Sequence, residues 1–129
     1  MRSALRDSEL RPEDVGHVNA HGIGSRSVDR EEAGAIREVF GDYGATVPVT
    51  SLKGALGNSG SGCGTLELAG SLVGLLHGVV PPTLNYQTPD PDCPLNVVHG
   101  EPLKVTNKVV LNINVTRMGQ ASALVAEID

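Results

Sequence analysis

The chain reads as an α/β layered domain. Three observations predict it. Apolar segments follow one another in the order α-β-α-β-α-β-β. Glycines and prolines, 16 and 8 in number, fall in clusters between those segments and punctuate them. The last two apolar runs lie on either side of a short turn, which suits a C-terminal hairpin.

Each element has its own signal. Residues 3–10 give a short helix with Ala4, Leu5 and Leu10 apolar, stopped near Pro12. Residues 16–20 form a brief buried strand that delivers His21. Residues 21–25 are a loop whose glycines permit positive φ and leave room for a ligand. Residues 27–40 make the clearest helix. Asp29, Glu31 and Glu32 complement the dipole at its start, Ala33, Ile36 and Phe40 share one face, and Gly41 stops it. Residues 47–51 are a strand, and 53–64 a glycine-rich turn. Residues 66–76 are so uniformly apolar that burial between two layers is expected. Pro81 and Pro82 exclude a central strand over 79–83 and leave an extended edge. Residues 86–95 are a proline-rich surface loop. Strands 109–115 and 121–128 close the chain around the turn 116–120.

Composition excludes several functions. The 129 residues fit one domain, with no repeat or linker, and 40% hydrophobic content supports a core. Aromatics are only 2%, so that core is aliphatic. The net charge of −5, without a basic stripe, argues against nucleic acid. No apolar run reaches the ~20 residues of a membrane span, and the N-terminus lacks a secretory h-region. Two cysteines make no disulfide framework, which points to a reducing cytoplasmic setting. Cys and His residues have no metal-binding spacing. Asn114-Val115-Thr116 matches a glycosylation sequon, and its place in a strand of a cytosolic chain makes it a chance match.

Two loops carry candidate chemistry. His21 follows a strand and sits among glycines, where an imidazole can donate to an oxyanion or move a proton; a capping or solvated loop histidine fits the same position. His17, His77 and His99 have no such context. The second loop, Lys53-Gly54-Ala55-Leu56-Gly57-Asn58-Ser59-Gly60-Ser61-Gly62-Cys63-Gly64, joins a strand to a helix N-terminus, whose N–H groups can hold an anion. Its lysine precedes the glycines, so it is no nucleotide loop, and a tight-packing turn is the plain alternative. Cys63 there could be a nucleophile but suits a small packing residue better, and Cys93 in its proline loop is a weaker candidate still.

Asn19-Ala20-His21-Gly22, Asp29, Lys53 with Gly57, Val80-Pro81-Pro82-Thr83 with Asn85, and Pro89-Asp90 with Cys93 occur in that order. Over nearly the whole chain they resemble the C-terminal part of β-ketoacyl-acyl carrier protein synthases, the condensing enzymes of fatty acid and polyketide synthesis. The resemblance implies a thiolase fold of two βαβαβαββ halves, of which this chain is a partial second half: helices layered on a mixed five-stranded sheet. It implies that a cysteine of the first half is the nucleophile, and neither Cys63 nor Cys93 matches its place. By resemblance His21 holds the enolate oxygen, Lys53 supports it, Glu67 pairs with Lys53, and Ser25 meets the pantetheine arm, while Ile23 replaces another such contact. The family's second histidine falls on Asn58. A related branch of condensing enzymes uses a Cys-His-Asn set with its asparagine in a turn like Gly57-Asn58-Ser59. Arg117, within Val115-Thr116-Arg117-Met118-Gly119-Gln120, stands where a gating aromatic would lie, and a cation in an acyl tunnel is costly unless paired.

The implied activity is decarboxylative condensation by an acyltransferase that needs no resident cofactor, since the thioester arrives on a carrier protein's phosphopantetheine or on coenzyme A. Implied partners are the acyl carrier protein, the missing N-terminal half or a synthase partner, and a homo- or heterodimer mate. The isolated chain is expected to be inactive. The altered 115–120 loop favours an alternative, a noncatalytic synthase-like scaffold subunit. An unrelated small α/β binding domain is the third reading.

Overall fold

The computed structural model describes residues 1–129. Its elements are α1 (Arg2–Asp7), β1 (His17–Asn19), α2 (Arg26–Phe40), β2 (Pro48–Thr50), α3 (Lys53–Leu56), α4 (Cys63–Leu76), β3 (Val79–Val80), β4 (Asn96–Val97), β5 (Leu103–Lys104), β6 (Val109–Val115) and β7 (Ala121–Glu127). The five-stranded sheet runs β4-β2-β1-β6-β7. Its first four strands are parallel, and β7 closes it antiparallel to β6 in the expected hairpin. The proline-edged segment β3 stays out of this sheet and pairs with β5 alone, because Pro81 and Pro82 cannot donate to a ladder.

Alternation along the strands sorts side chains onto two faces. On one face Val18, Val47, Val49, Val109, Leu111 and Ile113 pack with Leu5, Ile36 and Phe40 of α1 and α2. This is the aliphatic core that the composition predicts. The other face presents His17, Asn19, Thr50, Val110 and Asn112, all buried, and α4 covers it. The buried residues of α4 include Cys63, Glu67, Ser71 and Leu75, a four-residue spacing that lays one stripe on the sheet. Gly64 permits the approach: a Cβ there would lie 2.7 Å from the Asn114 amide nitrogen.

Three expectations need correction. Residues 53–56 form the short helix α3 within the glycine-rich turn, and α4 begins at Cys63, three residues earlier than its apolar run. Helix α4 is not buried between two layers. Its far side exposes Leu66, Val73 and Leu76 at 45%, 54% and 67%, because this chain supplies only one sheet for a helix apolar all round. His17, which has no special context in the sequence, is no ordinary histidine: it is wholly buried, with both ring nitrogens unpartnered, and burial pushes its pKa down to about 4.

Candidate functional site

Strand β1 hands its chain to the His21 loop through an Ala20 N–H bond to the Thr50 carbonyl. The loop is then tied to α2. The N–H groups of His21 and Gly22 donate to the two Glu32 carboxylate oxygens at 2.7 and 2.8 Å. Gly22 has φ +43°, and a Cβ on it would meet the Ser51 hydroxyl at 2.5 Å, so only glycine fits. One turn earlier Asp29 faces the N–H groups of Ile23, Gly24 and Ser25. Burial raises the pKa of both carboxyls, and the backbone donors oppose that shift.

The His21 ring is buried, and its Nδ1 has no partner within the chain. Burial lowers its pKa, and the Lys53 charge lowers it further, while the Asn114 side chain and Asp29 oppose. The imidazole is therefore neutral at pH 7 and carries one N–H to donate. Lys53 opens α3 and turns inward, and its Nζ donates to Glu67 Oε1 at 2.6 Å. The two side chains are only 6% and 1% exposed. Burial raises the Glu67 carboxyl, with Lys53 pulling it down. The lysine–glutamate pair implied by the resemblance is thus present in the geometry.

Asn58 lies on the exposed turn between α3 and α4. Its Oδ1 accepts from the Gly60 N–H at 3.0 Å and the Cys63 thiol at 3.3 Å. No hydrogen bond joins it to His21, so the two donors sit on separate segments. Ser25 caps α2 without a side-chain bond, its hydroxyl 3.4 Å from that of Ser27. Arg117 is exposed at the tip of the β6–β7 hairpin, a turn closed by Thr116 N–H to Gln120 O at 2.8 Å.

Sequence reasoning missed several residues. Asn114, dismissed as a sequon, points at the site from β6, beside His21 and Gly64. Two residues back, Asn112 accepts from Asn19 Nδ2 at 2.6 Å and donates to the Gly64 carbonyl at 3.2 Å. This crosslinks β1, β6 and α4 beneath the site. Polar residues recurring at period two in an otherwise apolar strand were the available signal. Glu32, read as a dipole residue, is the loop's anchor.

A cavity of about 440 Å³ opens at the carboxyl ends of β1, β2 and β4, lined by Ile23, Asp29, Lys53, Thr83, Tyr86 and Cys93 among others. It meets the cluster at Lys53, and His21, Asn58 and Arg117 lie outside its lining. No group of His, Cys, Asp and Glu side chains is disposed to hold a metal. What the cluster offers is a neutral imidazole N–H beside a buried lysine–glutamate pair; such an N–H suits a developing oxyanion, and the Asn58 carboxamide stands apart on its own turn.

Residues 1–87 match the family described as "Beta-ketoacyl synthase, C-terminal domain". Nodulation protein E of Rhizobium meliloti is 37% identical over 126 residues, 98% of this chain and 31% of that protein. Among solved structures, the ishigamide ketosynthase/chain length factor superposes with a TM-score of 0.93 at 31% identity, over 99% of this chain and 31% of that one. A type II PKS acyl-carrier protein in complex with its ketosynthase bound to the hexaketide gives 0.93 at 30% identity, over 99% and 31%.

Proposed function

The chain belongs to the β-ketoacyl synthase family, by the C-terminal domain of those enzymes, and on that premise we propose that it supplies the enolate-holding wall of a decarboxylative condensing site. It spans about 31% of the length of the relatives named above, so the nucleophile belongs to the remainder of the enzyme. A cysteine thiolate there attacks the acyl thioester, and the carrier thiol leaves. A malonyl thioester then loses carbon dioxide, and the released electron pair moves onto its carbonyl oxygen. The His21 N–H and the Asn58 carboxamide N–H hold that enolate. Its carbon attacks the acyl-enzyme carbonyl and expels the cysteine thiolate, giving a ketoacyl thioester two carbons longer.

The neutral His21 beside the buried Lys53–Glu67 pair carries this reading. A neutral imidazole donates its single N–H to a developing anion and keeps the proton. Burial first, and the lysine charge second, hold it neutral, and its N–H is then a preorganised donor for that anion. Asn58 can only donate to the enolate, since a carboxamide is no base near neutral pH. Ser25 is assigned to the pantetheine arm and Arg117 to the acyl gate. No resident cofactor is needed, because the phosphopantetheine thioester arrives on a carrier protein or coenzyme A.

The partners proposed are an acyl carrier protein and a second synthase subunit, the arrangement named for two of the similar structures. Polyketide or fatty acid synthesis in a reducing cytoplasm is the proposed setting, consistent with two free thiols. In the full-length protein, His21→Ala and Asn58→Ala should each slow malonyl-thioester decarboxylation roughly 100-fold, the scale of losing one oxyanion donor. Unchanged rates would remove those residues from the mechanism. The exposed, unpaired Arg117 turn favours a second reading, a noncatalytic synthase-like subunit; there the full-length protein would not decarboxylate malonyl thioesters at all.

A further inference from the structure

We propose that Cys63 is a positioning residue, whose thiol locks the Asn58 carboxamide with its oxygen turned into the loop and its N–H₂ end free to donate to the reacting oxygen. A backbone N–H can only donate, so the Asn58 atom 3.0 Å from the Gly60 nitrogen must be the carbonyl oxygen. That fixes which end of the amide faces the turn and leaves Nδ2 as the free end. One bond still lets the amide swing about its own axis. The second comes from Cys63, buried at the first turn of α4, with Sγ 3.3 Å from the same Oδ1.

The thiol is itself held in place. Sγ accepts from the Ser59 N–H at 3.1 Å and faces the Ser59 hydroxyl at 3.4 Å. Its single proton has two oxygens within reach, Asn58 Oδ1 at 3.3 Å and the Gly57 carbonyl at 3.9 Å, and the shorter contact takes it. The sulfur thus joins Asn58 and Ser59 of the turn to the first turn of α4. It does so without contacting substrate, and it makes no covalent bond. Both of Asn58's oxygen lone pairs are used inside the turn, so only its donors remain for a ligand. That selects an acceptor oxygen, such as an enolate, as the occupant and disfavours a group that must donate.

This rests on the reading of Asn58 as an enolate donor, and two measurements separate the failures. The first needs no activity. In a Cys93→Ser background of the full-length protein, the Raman S–H stretch of Cys63 should report a hydrogen-bonded thiol, assigned by its loss in Cys63→Ser. It should move toward the free-thiol frequency in Asn58→Ala. A band unmoved by Asn58→Ala overturns the lock, whatever Asn58 does in catalysis. The second is a rate cycle on malonyl decarboxylation. Cys63→Ala should lower kcat roughly fivefold with KM little changed, the scale of one weak neutral hydrogen bond, and Cys63→Ser should restore it. In an Asn58→Ala background the same Cys63→Ala change should do nothing. An equal loss in both backgrounds means packing alone and overturns the proposal. If Asn58→Ala itself leaves the rate intact, the enolate reading fails, and the Raman band still decides whether the lock exists.

Discussion

At the scale of single residues, the site is governed by what is buried together. Lys53 and Glu67 form a 2.6 Å pair out of water. Removing one partner strands the other, so Lys53→Met should cost about 3–5 kcal/mol. Lys53→Met with Glu67→Leu should cost clearly less than the Lys53 change alone, as read by urea denaturation. His17 gives a pH dependence. Its imidazole takes a proton near pH 6.5 when unfolded and near pH 4 in the fold. The unfolded chain therefore binds more protons throughout that window, and stability falls as pH drops from 6.5 to 4. The loss should approach about 3 kcal/mol, and His17→Gln should remove that part of the slope between pH 7 and pH 4 in the same denaturation series. His21, Lys53 and Glu67 were legible in the sequence because a motif and a spacing name them. His17 and Asn114 were not, because their meaning depends on which strand lies beside which, and spacing along one strand does not say that.

At the scale of elements, the order of the longer helices and strands was readable from periodicity and the hairpin from its turn, whereas the two-residue strands β4 and β5 were not, being too short to show a period. The short helix α3 was not, since four residues hold too little pattern and its Gly54 argues against a helix. Helix α4 is the instructive case. Its sequence is apolar on every side, which predicts cover on every side, yet the sheet covers only the stripe from Cys63 to Leu75. Leu66, Val73 and Leu76 form a second stripe facing solvent. Such a face drives association. The 129-residue chain should run larger than a monomer in size-exclusion chromatography, and Val73→Glu with Leu76→Glu should shift it to the monomer volume. A wild-type chain already monomeric at low concentration would contradict this.

At the scale of the molecule, the mixed sheet and its helices place two donor loops on one side of the fold, both rooted at strand ends. Glu32 fastens one loop to α2, and Cys63 fastens the other to α4. Sequence resemblance located both loops. It left open how they are held, because each anchor is a contact between segments distant along the chain or across a turn. The account needs a thiolate from elsewhere, so the 129 residues alone should form no ketoacyl product. The most direct test uses the full-length protein, given an acyl group and a malonyl group on its carrier, with ketoacyl thioester read by mass spectrometry. The account predicts a product two carbons longer that falls to roughly a hundredth in His21→Ala. No product from the wild type, or product undiminished in that variant, would contradict it.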